Sequence, residues 1–169
     1  MTTKTTAQQL RLDERNHVEN PLLAQLAGLG WEILDLDSKQ HPVDSHRANF
    51  TEIVMLPVLR EQLKVIQPWL AADQVEEAVK QLTANFPGSN LLQNNRHVFR
   101  LLLEGTSVSE NRQTGEKSPT VRFIDFKQRD NNRFIAVCQF KVRIFGTEHH
   151  FIPDIVLFLN GLPVVVIEA

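Results

Sequence analysis

Residues 151–169 constrain this chain more than any other stretch. Two apolar runs, Ile155–Leu159 and Leu162–Ile167, flank Asn160-Gly161, a dipeptide strongly associated with tight hairpin turns. Asp154 precedes the first run and Glu168 follows the second. Strands this apolar belong to a sheet interior, where ionised carboxylates are almost never left without a partner or a metal. The chain must therefore bring two acids, far apart in sequence, to one end of a hairpin.

Register decides whether they meet, because side chains on a strand alternate between faces. With a two-residue loop, Leu159 faces Leu162, Asp154 faces Ile167, and Glu168 points to the opposite side. A three-residue loop that includes Leu162 places Asp154 opposite Glu168. The reading is a loop longer than Asn160-Gly161, or a bulge, on the premise that the acids act together. Unbroken pairing across a two-residue loop would remove that premise.

Two ionised carboxylates about 4 Å apart repel by roughly 4 kcal/mol at an effective dielectric near 20. Such a pair shares a proton or holds a divalent cation. Hard oxygen donors without a cysteine/histidine cluster favour Mg²⁺ or Mn²⁺ over zinc. Beside a phosphate-accepting surface, that chemistry is metal-assisted phosphodiester hydrolysis. Two acids at strand ends facing water remain the plain alternative.

Composition sets the frame. A chain of 169 residues with 42% hydrophobic and 22% charged residues suits one domain with a real core. Its one cysteine, Cys138, excludes an intramolecular disulfide and fits a reducing compartment. No basic-plus-apolar leader is visible, and the longest apolar runs are too short for a bilayer, so the expectation is a cytoplasmic protein without a membrane partner. Residues 100–150 carry 9 Lys/Arg against 6 Asp/Glu, whereas residues 1–99 carry 9 against 12. A mildly basic segment beside an acidic pair suits a phosphate-accepting, cation-binding site, and ordinary charge scatter fits equally well.

Taken in order, residues 1–6 read as a frayed tail and residues 10–29 as a helical pattern. In it Asn20 is the expected cap, Pro21 the first helical residue, and Gly28 and Gly30 the stop. Residues 31–36 form a short strand. Residues 50–105 read as helical throughout, in three segments: Leu56, Leu59, Leu63 and Ile66 form one stripe, Asp73 with Glu76 starts the next, and Phe86-Pro87-Gly88 ends it. Ser89 or Asn90 then caps the third, which Gly105 stops. This block is either a helical insertion in a larger fold or a set of partner-docking helices. Residues 106–120 read as a mobile polar loop. Residues 121–126 and 133–145 follow as strands, the second long enough to bend, before the closing hairpin. His17, His41 and His46 show no metal-ligand spacing.

Several stretches together resemble a known family: Phe123-Ile124-Asp125-Phe126, Asn131-Asn132-Arg133-Phe134, Gln139-Phe140, and Pro153-Asp154 through Glu168. With Asn94-Asn95-Arg96 and Leu103-Glu104-Gly105 they are similar to the N-terminal nuclease domain of type I restriction endonuclease R subunits. Pro153-Asp154 and Glu168-Ala169 resemble the PD-(D/E)XK motif, cut one residue before its lysine. The resemblance implies an α/β fold, with a restriction-endonuclease-like mixed sheet, flanking helices and a helical insertion at 50–105, truncated at the C-terminus. It implies that Asp154 and Glu168 are catalytic metal ligands, with the backbone carbonyl of Ala169 a third and Glu19 acting indirectly through water. It further implies Mg²⁺, with Mn²⁺ a substitute, and double-stranded DNA as substrate. The modification (methyltransferase) and specificity subunits of the restriction complex are the implied partners.

Nothing here resembles a P-loop, so ATP would enter only through domains absent from this chain. Two departures stand out. The chain stops at Ala169, ahead of the lysine and of the helix and strand that normally complete the sheet. The expectation is therefore an incomplete nuclease domain, inactive alone. In addition, His149-His150-Phe151-Ile152 stand where the family tends to place arginines. A non-catalytic DNA-docking or subunit-assembly module that keeps the fold is the competing reading, and a repair or junction-cleaving nuclease of the same superfamily is a third.

Overall fold

The computed structural model describes residues 15–37, 39–84 and 90–168. The expectations for residues 1–6, Phe86-Pro87-Gly88, Ser89 and Ala169 lie outside them. The chain divides into two compact units, Met1–Met55 with Phe134–Ala169, and Leu56–Arg133. Both helices and strands are present, and the main sheet is mixed.

The first unit is built on a four-stranded sheet in the order β1 (Glu32–Asp35), β4 (Phe134–Cys138), β7 (Ile155–Leu159), β8 (Leu162–Ile167). β1 runs parallel to β4, and the other neighbours are antiparallel. Helix α1 (Asn20–Gly28) covers one face, packing Leu23 and Leu26 against Ala136, Cys138 and Ile155, with Ile33, Leu157 and Ile167 around them. Leucines at three- and four-residue spacing make this stripe.

Asn20 does not cap α1. The helix continues from a π-helical turn, Arg15–Glu19. Pro21 explains the arrangement: its ring crowds the carbonyl four residues back, and a wider turn relieves the clash. At the other end the stop is the expected glycine. Gly30 has φ 88°, its N–H donates to Ala27 O, and Trp31 N–H donates to Leu26 O at 3.0 Å. That is the Schellman pattern, with Trp31 and Leu26 in apolar contact.

The second unit holds helices α2 (Leu56–Ile66), α3 (Ala72–Thr83) and α4 (Leu91–Glu104). Residues 50–55 are not helical, because the Asn49 side chain accepts from Thr51 N–H and Glu52 N–H and satisfies those donors locally. Ala71 rather than Asp73 precedes α3, and Gln74 accepts the Ala71 N–H at 3.0 Å. Asp73 is paired with Arg112 instead. Asn90 does cap α4, accepting from Gln93 N–H at 2.8 Å while Gln93 accepts from Asn90 N–H.

Segment 106–120, expected as a mobile polar loop, is a loop closed at its base by a short ladder. β2 (Thr106–Ser107) pairs with β3 (Thr120–Val121), Val108 and Asn111 are buried, and Asn111 N–H donates to Glu116 O at 2.8 Å. Gln74, buried in α3, holds this segment by donating to Ser109 O and Glu110 O, both at 2.9 Å. The strand expected at 121–126 shrinks to β3. Beyond it, Asn132 accepts from Asp125 N–H and donates to Asp125 O, while the Asp125 carboxylate accepts from Lys127 and Gln128 N–H. Side chains take the bonds that a strand neighbour would have made. The long strand expected at 133–145 is interrupted at Gln139, which has φ 57° and separates β4 from β5 (Val142–Arg143).

Candidate functional site

Asn160 and Gly161, with φ 55° and 83°, form a two-residue turn of the primed type that matches strand twist. Leu159 faces Leu162 and Phe158 faces Pro163. The register then shifts: Leu157 faces Val165, and Val164 is the extra residue of a bulge. Pro163 lacks an N–H for the ladder, and a bulge on an edge strand is where a proline fits. So of the two alternatives the bulge is realised and the longer loop is not.

From the bulge onward Val156 faces Val166 and Ile155 faces Ile167. One further step in that register sets Asp154 against Glu168. Asp154 is half-buried beyond the N-terminal end of β7, and Glu168 is exposed beyond the C-terminal end of β8.

Asp154 is tied to the segment that leaves β4. Its backbone carbonyl accepts from Gln139 N–H at 2.8 Å, and its Oδ1 lies 3.4 Å from Gln139 Nε2. Gln139 is in turn held by Gln40, a buried side chain whose Nε2 donates to Gln139 O at 2.7 Å. Arg47 fixes the next residues. Its buried guanidinium donates to Ser45 Oγ, Glu52 O and Lys141 O, and stacks 3.7 Å from the Phe140 ring centroid. Burial lowers the Arg47 pKa to about 10, which leaves it charged at neutral pH.

Glu19 ends the π-helical turn with only 6% of its surface exposed. Its Oε2 accepts from the Cys138 thiol, with Sγ at 3.4 Å. Burial first, then this hydrogen bond and the Glu19 charge, push the Cys138 pKa up to about 12. Cys138 faces Ile155 across the sheet, so Glu19 stands at the end of the sheet that carries the acid pair. Arg15 and Asp35 form a two-pronged ion pair on the same unit, at 2.6 and 2.8 Å.

Asp154 and Glu168 thus each lie one residue beyond the Ile155–Ile167 pair that ends the β7–β8 ladder, and Glu19 bonds Cys138, the residue paired with Ile155. Among the described residues it brings no three His, Cys, Asp or Glu side chains together as a metal cluster. Carboxylate oxygens are hard donors of the kind that suit Mg²⁺ or Mn²⁺. Sequence reasoning missed Gln40, Gln139 and the Glu19–Cys138 bond. The only trace of them was the Gln139-Phe140 pair inside the family resemblance. No helix of the described residues is long and apolar enough to cross a membrane.

A mixed α/β unit with a carboxylate pair at one sheet end narrows the class, and comparison with known proteins gives the family. The sequence matches the family model described as "Type I restriction enzyme R protein N terminus" over residues 11–169, and the chain belongs to that family. It is 34% identical over 154 residues to the Type I restriction enzyme HindI endonuclease subunit of Haemophilus influenzae, covering 90% of this chain and 14% of that subunit. It is 26% identical over 167 residues to the putative type I restriction enzyme MjaIXP endonuclease subunit of Methanocaldococcus jannaschii, covering 98% of this chain and 16% of that subunit. The chain therefore spans under a fifth of the length of the curated relatives it matches.

Proposed function

We propose that this chain is the PD-(D/E)XK-type nuclease domain of a type I restriction endonuclease subunit, cleaving double-stranded DNA with Mg²⁺ or Mn²⁺. The observation that supports the reading is the bulge at Val164, whose register, with Ile155 facing Ile167, leaves Asp154 and Glu168 each one step beyond the paired ends of the two strands. In this reading the two carboxylates hold the cation, the Ala169 carbonyl adds a backbone ligand, and Glu19 supports it through water. The cation lowers the pKa of the attacking water and offsets charge in the transition state. Gln139, whose N–H donates to the Asp154 carbonyl at 2.8 Å, holds the backbone at Asp154. Modification and specificity subunits are the proposed partners, and ATP-driven translocation is assigned to other parts of the full-length subunit.

The test uses the full-length subunit in its complex. Asp154→Ala and Glu168→Ala should each lower DNA cleavage at least about a hundredfold while subunit assembly is unchanged. Cutting at the wild-type rate by both variants refutes the site.

A further inference from the structure

Gln139 carries three features that ordinary packing does not require together. It is a non-glycine residue in the left-handed region, with φ 57°. Its backbone N–H holds the Asp154 carbonyl at 2.8 Å, and its side-chain amide nitrogen stands 3.4 Å from Asp154 Oδ1. Its own carbonyl accepts from Gln40 Nε2 at 2.7 Å, while Gln40 Oε1 accepts from Lys141 N–H at 3.4 Å. The same Gln40 nitrogen also donates to Asp37 O at 2.9 Å. The kink is thus gripped on both sides by one buried glutamine. A left-handed glutamine persists only where its surroundings over-determine it, and such outliers gather where a geometry is needed for function.

The kink has a definite effect. The β4–β7 register pairs Cys138 with Ile155, so position 139 falls opposite position 154, and the Gln139 N–H to Asp154 O bond continues the ladder by one step. Turning left-handed at this point ends β4 and sends the chain towards β5 and β6 (His150–Phe151), while the Gln139 side-chain amide stays beside Asp154 Oδ1. An amide N–H beside a carboxylate oxygen restricts the rotation of that carboxylate and leaves its other oxygen in a fixed direction.

We infer that Gln139 is a positioning residue for Asp154: its side-chain amide orients the carboxylate for a divalent cation, and the Gln40 clamp holds the left-handed backbone at the point where β4 ends beside it. The inference rests on the proposed metal-dependent nuclease reading. Gln139 touches neither cation nor DNA in it, and acts through Asp154 alone.

Removing the amide while relieving the strain separates this role from a structural one. In the full-length subunit, Gln139→Gly frees the left-handed backbone and deletes the amide. Gln139→Asn tolerates the same backbone but holds its amide one methylene short of Asp154. Both variants should keep or raise the urea-unfolding midpoint. Both should weaken Mn²⁺ binding, measured by calorimetry without DNA, about three- to tenfold, and lower cleavage with a matching rise in the Mg²⁺ needed for half-maximal rate. Unchanged Mn²⁺ affinity overturns the inference, and so does a midpoint that falls in step with the affinity, which marks a merely structural clamp. Asp154→Asn is the control. If it also keeps Mn²⁺ binding and cleavage, the nuclease reading fails; if it loses both while the Gln139 variants change neither, only the role of Gln139 fails.

Discussion

In the unit Leu56–Arg133 the described residues with positive φ are glycines, Gly105 and Gly115. In the unit of Met1–Met55 and Phe134–Ala169, three non-glycine residues adopt it too: His46, Gln139 and Asn160. The two units also use their buried polar groups differently. Leu56–Arg133 is stitched by buried glutamines that donate to backbone carbonyls outside helices α2 and α3: Gln62 to Asn131, Gln67 to Arg122, and Gln74 to Ser109 and Glu110. The sheet unit spends Gln40 and Arg47 on the few residues that lead from β4 towards Asp154, and Glu19 on Cys138. One unit confines positive φ to glycines; in the other, Asn160 takes it in the hairpin turn and Gln139 takes it beside Asp154.

The contrast can be broken by substitution. Gly105→Ala should be the most damaging, because an added Cβ would lie 2.4 Å from the Val121 carbonyl oxygen at a φ of 86°. A loss of about 2–3 kcal/mol in urea unfolding is expected, opposite in sign to the effect of Gln139→Gly. A neutral Gly105→Ala would show that the helical unit yields as readily as the sheet unit.

Cys138 gives a smaller, pH-dependent effect. Its folded pKa is raised from 9.0 to about 12, so its contribution is complete below pH 9 and is lost as pH climbs from 9 towards 12. The slope is at most about 1.4 kcal/mol per pH unit. Unfolding followed from pH 7.5 to 10.5 should show this decline in the wild type and a flatter one in Cys138→Ala. Equal slopes would remove the thiol from the account.

Smallest of all, Arg60→Ala breaks the exposed pair with Glu76, seen at 2.6 Å, and should cost no more than about 0.5 kcal/mol by thermal unfolding. A larger loss would mean that surface charge, and not the glutamine stitching, holds the helical unit.

Much of the closing hairpin was legible in the sequence, because Asn160-Gly161 dictates a turn through local backbone preference and the acids stand out against apolar strands. Whether register came from a longer loop or a bulge was not legible, since Pro163 and Val164 satisfy either. Asn90 and Gly105 were readable for the same local reason as the turn. What lay hidden depends on partners distant in sequence. Gln139 turns left-handed because Gln40 grips it, and Asp125 leaves the strand because Asn132 supplies its bonds. The parallel pairing of β1 with β4 joins residues with nothing in their local pattern to link them.

That pairing sets a timetable for the growing chain. Glu32 meets Ile135 and Asp35 meets Cys138, with the whole of Leu56–Arg133 threaded between. During synthesis, β1 and the Glu19 turn beside it must wait until Cys138 has emerged, whereas every residue of the intervening unit is already available. Closing a loop of that length costs entropy before any β1–β4 contact is gained. The sheet end that bears the acids is therefore the last part of these residues to be assembled.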